Sequence, residues 1–226
     1  MTISYLPSVS WWQQWLREGM TDLNLMQPYH KRMEINWCRI DSPNGELRLT
    51  VPIRKDYELR RSFPDSILKD TFSETDTGAG NPDISRRFAV GDVRISTHGD
   101  WQHKHWHALQ STYYNSPFFE YYEDDFRPLY ERQYEYLSDF NLGLIEVCKE
   151  LLGLNQLQLR GISCAESREN TVSADNHESG NFRRYYQVFA HKHGFIPNLS
   201  IFDLLMNMGP ESLLYLMNEN ELQLPT

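Results

Sequence analysis

Residues 101–122 read WQHKHWHALQSTYYNSPFFEYY and bring together many aromatic and histidine side chains. The segment holds eight of the thirty aromatic residues of the chain and three of its eight histidines. Aromatic rings bury large areas, whereas the indole N–H, the tyrosine O–H and the imidazole ring need polar partners when they are buried. The segment therefore predicts either a core with polar contacts inside it or the wall of a binding site.

The first half of this segment has the spacing of a helix. Trp101, His105 and Tyr113 lie four and eight residues apart, so they share one helix face. Asp100 is a suitable N-cap in front of them, and residues 115–117, Asn-Ser-Pro, end the helix.

A second, long helix is predicted after this turn. Asp124 or Asp125 serves as its N-cap, Pro128 is tolerated in its first turn, and Gly153 ends it. Its apolar stripe predicts core packing and consists of Phe126, Tyr130, Leu137, Phe140, Leu144, Val147 and Leu151.

The N-terminal part predicts a strand, a helix and a hairpin. Residues 3–6 are a short apolar run ended by Pro7, which indicates a buried first strand, and residues 23–26 indicate a second strand. Between them lies a helix carrying Trp11, Trp12 and Trp15. Residues 35–40 and 47–53 alternate around an Asn-Gly turn, which is a strong hairpin signal.

The remaining segments are less regular. Residues 55–97 are polar and turn-rich and predict a variable excursion, with an edge strand at 88–96. Residues 157–162 predict a strand, and residues 183–191 favour a helix. Asn198 or Ser200 caps an apolar helix that Gly209-Pro210 ends.

These elements predict a mixed α/β fold in one domain spanning residues 1–226. A small central mixed sheet with an N-terminal strand–helix unit and a hairpin is packed by a long helical pair and C-terminal helices. The N-terminus lacks the features of a signal peptide, and no apolar run is long enough to span a membrane. We therefore expect a cytoplasmic location.

Composition excludes several functional classes. The formal net charge is −9, which argues against a nucleic-acid-binding surface. The three cysteines are widely spaced and form no CxxC, so neither a disulfide framework nor a zinc ribbon is expected. The sequence also lacks the GxSxG, P-loop and GxGxxG motifs.

Histidine chemistry leaves two alternatives open. His103 and His107 have a spacing that suits a metal, but no third ligand is tied to them, and no metal site is expected. His105 shares its face with Trp101 and Tyr113, and a histidine among aromatic residues can act as a general acid or base. A core histidine with satisfied hydrogen bonds explains the same spacing.

Three blocks of the sequence together resemble the WbqC-like family. They are the N-terminal block through the hairpin, the segment 101–122, and the C-terminal block YYQVF followed by GFIPNLSIFDLLMNMGP. Relatives often carry Asn-Arg where this chain has Asn36-Trp37, a change that removes a bidentate anion-binding group. The matching positions are Pro7, Tyr29, Lys31, Asn36, Trp101, His105, Tyr113, Pro117, Tyr186, Gln187, Phe189, Pro197, Leu199, Ser200, Asp203 and Asn207.

The resemblance implies a role in surface-polysaccharide biosynthesis, such as acyl or aminoacyl transfer to the amine of an activated, nucleotide-linked sugar. Under this hypothesis His105 and Tyr113 are catalytic, with His105 as general base. Substrate binding is assigned to Tyr29, Lys31, Asn36, Trp101 and Gln187. No cofactor is assigned. The alternative is a non-catalytic binding or assembly protein, a homo-oligomer whose aromatic segment 118–122 forms the interface.

Overall fold

The computed structural model describes residues 1–29, 33–54, 89–155 and 182–217. Lys31, the strand predicted at 157–162 and residues 55–88 of the excursion lie outside these ranges.

The predicted hairpin is confirmed. Strand β1 (Trp37–Ile40) pairs with strand β2 (Leu47–Thr50) in antiparallel register, and the Ser42 Oγ donates to the Gly45 carbonyl across the turn at 2.6 Å. Gly45 has φ of 102°, a left-handed conformation that favours glycine. With the surrounding helices, this two-stranded sheet confirms the mixed α/β class.

The strands predicted at residues 3–6 and 23–26 are wrong. Ile3, Tyr5 and Leu6 are buried as expected, but both segments are irregular. The chain turns at Leu6, whose φ is 40°, and this conformation interrupts an extended strand. The turn delivers the Pro7 carbonyl to the Ile201 amide at 2.8 Å, so a distant helix satisfies this backbone group.

Helix α1 (Val9–Arg17) follows as predicted, with Trp12 and Trp15 buried on its inner face. The ring centroids of Trp11 and Trp15 lie 5.1 Å apart.

Helix α2 (Trp101–Tyr113) is confirmed, but the long helix predicted after it consists of two helices. Helix α3 (Phe119–Glu131) begins before the predicted caps, and helix α4 (Leu137–Leu151) follows a break. Residue Arg132 is extended at the break, and the Leu137 amide donates to the Val93 carbonyl at 2.9 Å. Pairing with the 89–97 segment therefore interrupts the helix.

The segment 89–97 forms a 3-10 turn (Val90–Asp92) and isolated bridges, so the predicted edge strand is not a regular strand in the described residues. The helix favoured at 183–191 is also wrong over most of its length. Residues 182–187 are irregular, and only the short helix α5 (Ala190–His193) follows.

The C-terminal prediction is confirmed. Helix α6 (Ile201–Met208) is followed by a 3-10 turn (Gly209–Glu211) and helix α7 (Ser212–Leu216). Gly209 has φ of 54°, and a Cβ there would overlap the Phe118 ring.

One buried apolar cluster draws on α1, the hairpin, α2, α3, α4, α6 and α7. Cys38 and Cys148 are buried within it, in keeping with a packing role. No helix in the described ranges has the length and apolar character needed to cross a membrane.

Candidate functional site

His105 belongs to a buried network that joins α2 to the N-terminal segment. Its Nδ1 lies 3.0 Å from the Tyr5 hydroxyl, which also lies 2.9 Å from the Tyr130 hydroxyl. The Trp101 ring meets the His105 ring edge-on at 5.3 Å between centroids. Trp101 and His105 therefore lie together as the helical spacing predicted.

Burial lowers the pKa of His105 to about 4, and a hydrogen bond with the Thr50 backbone opposes part of this shift. The imidazole is therefore neutral near pH 7 and can accept a hydrogen bond from the Tyr5 hydroxyl through Nδ1. This arrangement matches the core histidine with satisfied hydrogen bonds. The assignment of His105 as a general base stays a prediction.

Tyr113 belongs to a different network, at the other end of α2. Its hydroxyl donates to the Asp203 Oδ1 at 2.8 Å and accepts from the Asp41 amide at 3.2 Å. The Asp203 Oδ2 accepts from the Tyr185 hydroxyl at 2.5 Å and from the Gln187 Nε2 at 3.2 Å. Tyr113 and Gln187 therefore meet, but at a buried carboxyl group.

Burial raises the pKa of Asp203 to about 6, because desolvation outweighs the hydrogen bonds from Tyr185, Tyr113 and Gln187 that lower it. Gln187 also exchanges two hydrogen bonds with the Ile196 backbone, at 2.9 Å each. The donors that face the Asp203 carboxyl group are thus used internally, which is typical of a structural network, while the Asn207 Oδ1 and the Asp41 Oδ2 nearby have no hydrogen-bond partner among the described residues.

His193 is partly exposed near this network and contacts the buried Asp41. The His193 Nε2 lies 3.1 Å from the Asp41 Oδ1 and 3.1 Å from the Ser42 carbonyl, while Nδ1 lies 3.1 Å from the Gly194 carbonyl. Both ring nitrogens therefore already face oxygen acceptors.

A shallow crevice lies where helices α1 and α6 begin. The Val9 amide donates to the Leu199 carbonyl at 2.9 Å, and Ser8 forms an isolated bridge with Ser200. Tyr5, Leu6, Trp37 and Cys38 line the crevice, together with a polar set. The polar set consists of Ser4, Ser8, Glu34, Arg39, Asn198 and Ser200.

Two residues of this crevice adopt strained backbone conformations. Leu6 has φ of 40° and Asn198 has φ of 55°, values that side-chain-bearing residues rarely adopt. Strain of this kind persists where the surrounding structure enforces it and is frequent at functional sites. The crevice therefore differs from the Asp203 network in being both strained and open to solvent.

The other predicted site residues lie apart from these groups. Tyr29 is buried, and the Asn36 Nδ2 donates to the Val51 carbonyl at 2.9 Å, at the base of the hairpin. The His103 and His107 rings are 6.4 Å apart. Within the described residues, no group of three or more His, Cys, Asp or Glu side chains is arranged to hold a metal ion.

Sequence reasoning missed the roles of several residues. Tyr185 contacts Asp203, whereas Tyr186, which was matched to the family, is 58% exposed. The sequence predicts Ser200 only as a helix cap, and it does not predict Tyr5 or Arg39 as site residues. Tyr185 and Gln187 are buried and Tyr186 between them is exposed, but the sequence gives no signal for this choice, because in an extended segment Tyr186 shares its face with the apolar Val188.

The model of the WbqC-like protein family matches residues 82–175, which include Trp101, His105 and Tyr113. No curated protein and no solved structure matches the chain. The match covers less than half of the chain and ends before the C-terminal block that includes Ser200. It confirms the resemblance inferred from the sequence: over residues 82–175, this chain is similar to the WbqC-like protein family.

Proposed function

We propose that this protein is an enzyme of surface-polysaccharide sugar modification. The family match supports a polysaccharide-related role in general. The finer proposal is that the enzyme transfers an acyl or aminoacyl group to the amine of a nucleotide-linked sugar. The crevice at the starts of α1 and α6 carries this proposal.

The side chains of this crevice suit a polyhydroxylated substrate. Ser8, Ser200 and Asn198 offer hydroxyl and amide groups that both donate and accept hydrogen bonds. Trp37 offers an aromatic ring beside them, and a small number of polar groups on an apolar wall is typical of ligand sites.

The proposed transfer uses an activated acyl ester or thioester as donor. The sugar nitrogen attacks the acyl carbon, an N–C bond forms, and the bond from that carbon to the alcohol or thiol leaving group breaks. The amine loses one proton to a base, and the leaving group takes one up. Glu34 is the carboxylate that lines the crevice.

His105 has a positioning role in this proposal. It contacts Tyr5, and Tyr5 lines the crevice. Because the His105 ring is buried and its pKa is about 4, it holds the tyrosine hydroxyl as a neutral acceptor. To remove the amine proton as a general base, the His105 ring would have to contact the substrate amine directly.

Mass spectrometry of surface polysaccharide from cells with and without the protein tests this function. We expect the polysaccharide of cells lacking the protein to lose one acyl group and to carry a free amine. Trp37→Ala should reproduce the loss, whereas Tyr121→Ala should not, because Tyr121 is an exposed aromatic residue outside the crevice. Identical polysaccharide in the presence and absence of the protein would contradict the proposal.

The second candidate is the non-catalytic assembly protein. Tyr114 and Tyr121 are 70% and 75% exposed, which favours an aromatic contact surface, although Phe119 is buried internally. Under this proposal the protein is a homo-oligomer in solution, and Tyr121→Ala converts it to a monomer. Light scattering of both proteins measures this, and a monomeric wild-type protein would exclude the homo-oligomer.

A further inference from the structure

We propose that the crevice between the starts of α1 and α6 binds a compact anionic group, the phosphoryl group of the activated sugar. This inference deepens and rests on the proposed function, because a nucleotide-linked sugar carries phosphate beside its sugar ring. The proposed site therefore places that phosphate at the N-termini of α1 and α6.

The first observation is that two helix N-termini meet at this crevice. The Val9 amide of α1 donates to the Leu199 carbonyl at 2.9 Å, and the Ile201 amide of α6 donates to the Pro7 carbonyl at 2.8 Å. These reciprocal bonds hold the two helix starts side by side. Each N-terminus carries the positive end of a helix dipole, which favours a negative charge.

The second, independent observation is the Ser200 hydroxyl. Ser200 is 1% exposed, lines the crevice, and its Oγ has no hydrogen-bond partner among the described residues. An N-cap serine ordinarily turns its oxygen towards the N–H groups of its own helix, but Ser200 makes no such bond. A buried hydroxyl without a partner is unfavourable, so the crevice fits a ligand that supplies the missing acceptor.

Arginine placement supports an anion over a neutral ligand. Arg39 lines the crevice and donates to the Asn198 carbonyl at 3.0 Å. Arg48 lies directly opposite Arg39 in the hairpin, and its guanidinium stacks 3.9 Å from the Trp37 ring centroid. Like charges facing each other across a strand pair are unfavourable, and a bound anion relieves their repulsion.

Two carboxylates limit the size of the anion. Glu46 pairs with Arg39 at 3.4 Å, and Glu34 lines the crevice. They balance the charge of the two arginines, so the region lacks a broad positive surface. The favourable position is therefore the Ser200 end, between the helix starts, where a single phosphoryl group fits better than a polyanion.

Side chains supply the hydrogen bonds to this group. The Val9 and Ile201 amides are already used by carbonyls, and the Ser10 amide donates to the Asn198 Oδ1 at 2.9 Å. The helices therefore contribute their field, while Ser200 Oγ and the Arg39 guanidinium act as donors. With so few donors, we expect inorganic phosphate to bind with a Kd of about 1 mM.

Titration with inorganic phosphate, followed by NMR of the backbone amides, tests the site. We expect shifts concentrated at Ser8–Ser10 and at residues 198–202. Ser200→Ala and Arg39→Met should each raise the Kd about tenfold or more, since each removes a hydrogen bond to a charged oxygen. Arg17→Met, at the far end of α1, should change the Kd less than about twofold because the removed charge is distant and screened.

Several outcomes would overturn the site. Phosphate that shifts no crevice amide, or that binds Ser200→Ala and Arg39→Met as tightly as wild type, contradicts it. Binding of a neutral methyl glycoside in the crevice, with no phosphate binding, would make it a neutral sugar site instead. Arg39→Met keeps the test decisive if Ser200→Ala does not fold.

The two proposals fail separately. Phosphate binding that depends on Ser200, together with unchanged polysaccharide in cells lacking the protein, preserves the anion site and removes the proposed function. Altered polysaccharide without phosphate binding at the crevice does the reverse.

Discussion

Helix α2 connects two buried polar networks that differ in where they lead. From His105 the network passes to Tyr5, which lines the crevice, whereas Tyr113 leads to Asp203 and its internal hydrogen bonds. Both networks are buried, so burial alone does not separate a structural network from one that supports a site. The link through Tyr5 to an open crevice with two strained residues does separate them, and it makes the crevice the stronger candidate site.

Replacing Asp203 tests the network that stabilises the fold, and it has the largest expected effect on stability. Asp203→Ala leaves the Tyr113 and Tyr185 hydroxyls without their acceptor and removes one of the two acceptors of the Gln187 amide. We expect the unfolding free energy to fall by about 3–5 kcal/mol, because removing one member of a buried polar network strands the others. Urea denaturation measures the loss.

The control for this change is Asp124→Ala, since Asp124 is exposed on α3. It should change the unfolding free energy by less than about 0.5 kcal/mol. If Asp203→Ala behaves like this control, the Asp203 network does not stabilise the fold.

The pH dependence of stability distinguishes the two networks by sign. Burial raises the pKa of Asp203 from 3.8 to about 6, so the folded state binds a proton more tightly and stability falls as pH rises from about 4 to 6. Burial lowers the pKa of His105 from 6.5 to about 4, so the unfolded state is protonated first and stability falls as pH drops from 6.5 towards 4. The two contributions therefore oppose each other.

Replacing either His105 or Asp203 should reveal the pH dependence that the other residue contributes. His105→Gln should become less stable relative to wild type as pH rises from 4 to 6, and Asp203→Asn should show the opposite trend. Each difference should be on the order of 2–3 kcal/mol across this range. Denaturation at a series of pH values measures both slopes, and equal slopes in the two variants would show that the assignments are wrong.

Removing single hydroxyls gives a smaller effect in each network. Tyr113→Phe and Tyr5→Phe should each lower the unfolding free energy by about 2 kcal/mol, because each leaves buried partners unpaired. Only Tyr113→Phe should raise the pKa of Asp203 further, since the Tyr113 hydrogen bond lowers it. A pH series of denaturation curves detects this difference, and an Asp203 pKa that is equal in both variants would contradict the effect of the Tyr113 hydrogen bond.

The neighbouring tyrosines of the C-terminal block give the smallest expected effect. Tyr185→Phe removes the hydrogen bond to Asp203 and should cost about 1 kcal/mol, whereas Tyr186→Phe should change stability by less than about 0.5 kcal/mol. Thermal unfolding of the pair compares them directly. A larger loss in Tyr186→Phe would show that Tyr186, and not Tyr185, makes the stabilising contact.

Local patterns predicted the elements whose stabilising contacts are close in sequence. The i, i+4 spacing identified α2, the tryptophan spacing identified α1, and the Asn-Gly turn identified the hairpin. These predictions hold because helix hydrogen bonds and tight turns depend on residues only a few positions apart.

The errors occur where distant partners determine the backbone. Residues 3–6 have the apolar pattern of a strand, but they turn at Leu6 because Pro7 bonds to Ile201. The long helix is interrupted because Leu137 bonds to Val93. A single-sequence pattern has no information about such long-range pairing.

By itself, the sequence determined the mixed α/β class, the shared face of Trp101 and His105, and the WbqC-like resemblance. The tertiary structure decided that Tyr113 and Gln187 meet at Asp203 instead of beside His105. It also decided that Ser8 and Ser200 meet, 192 residues apart, to form the crevice at two helix starts. Helical spacing fixes which residues share a face, but only the packing of distant segments determines which polar groups share a site.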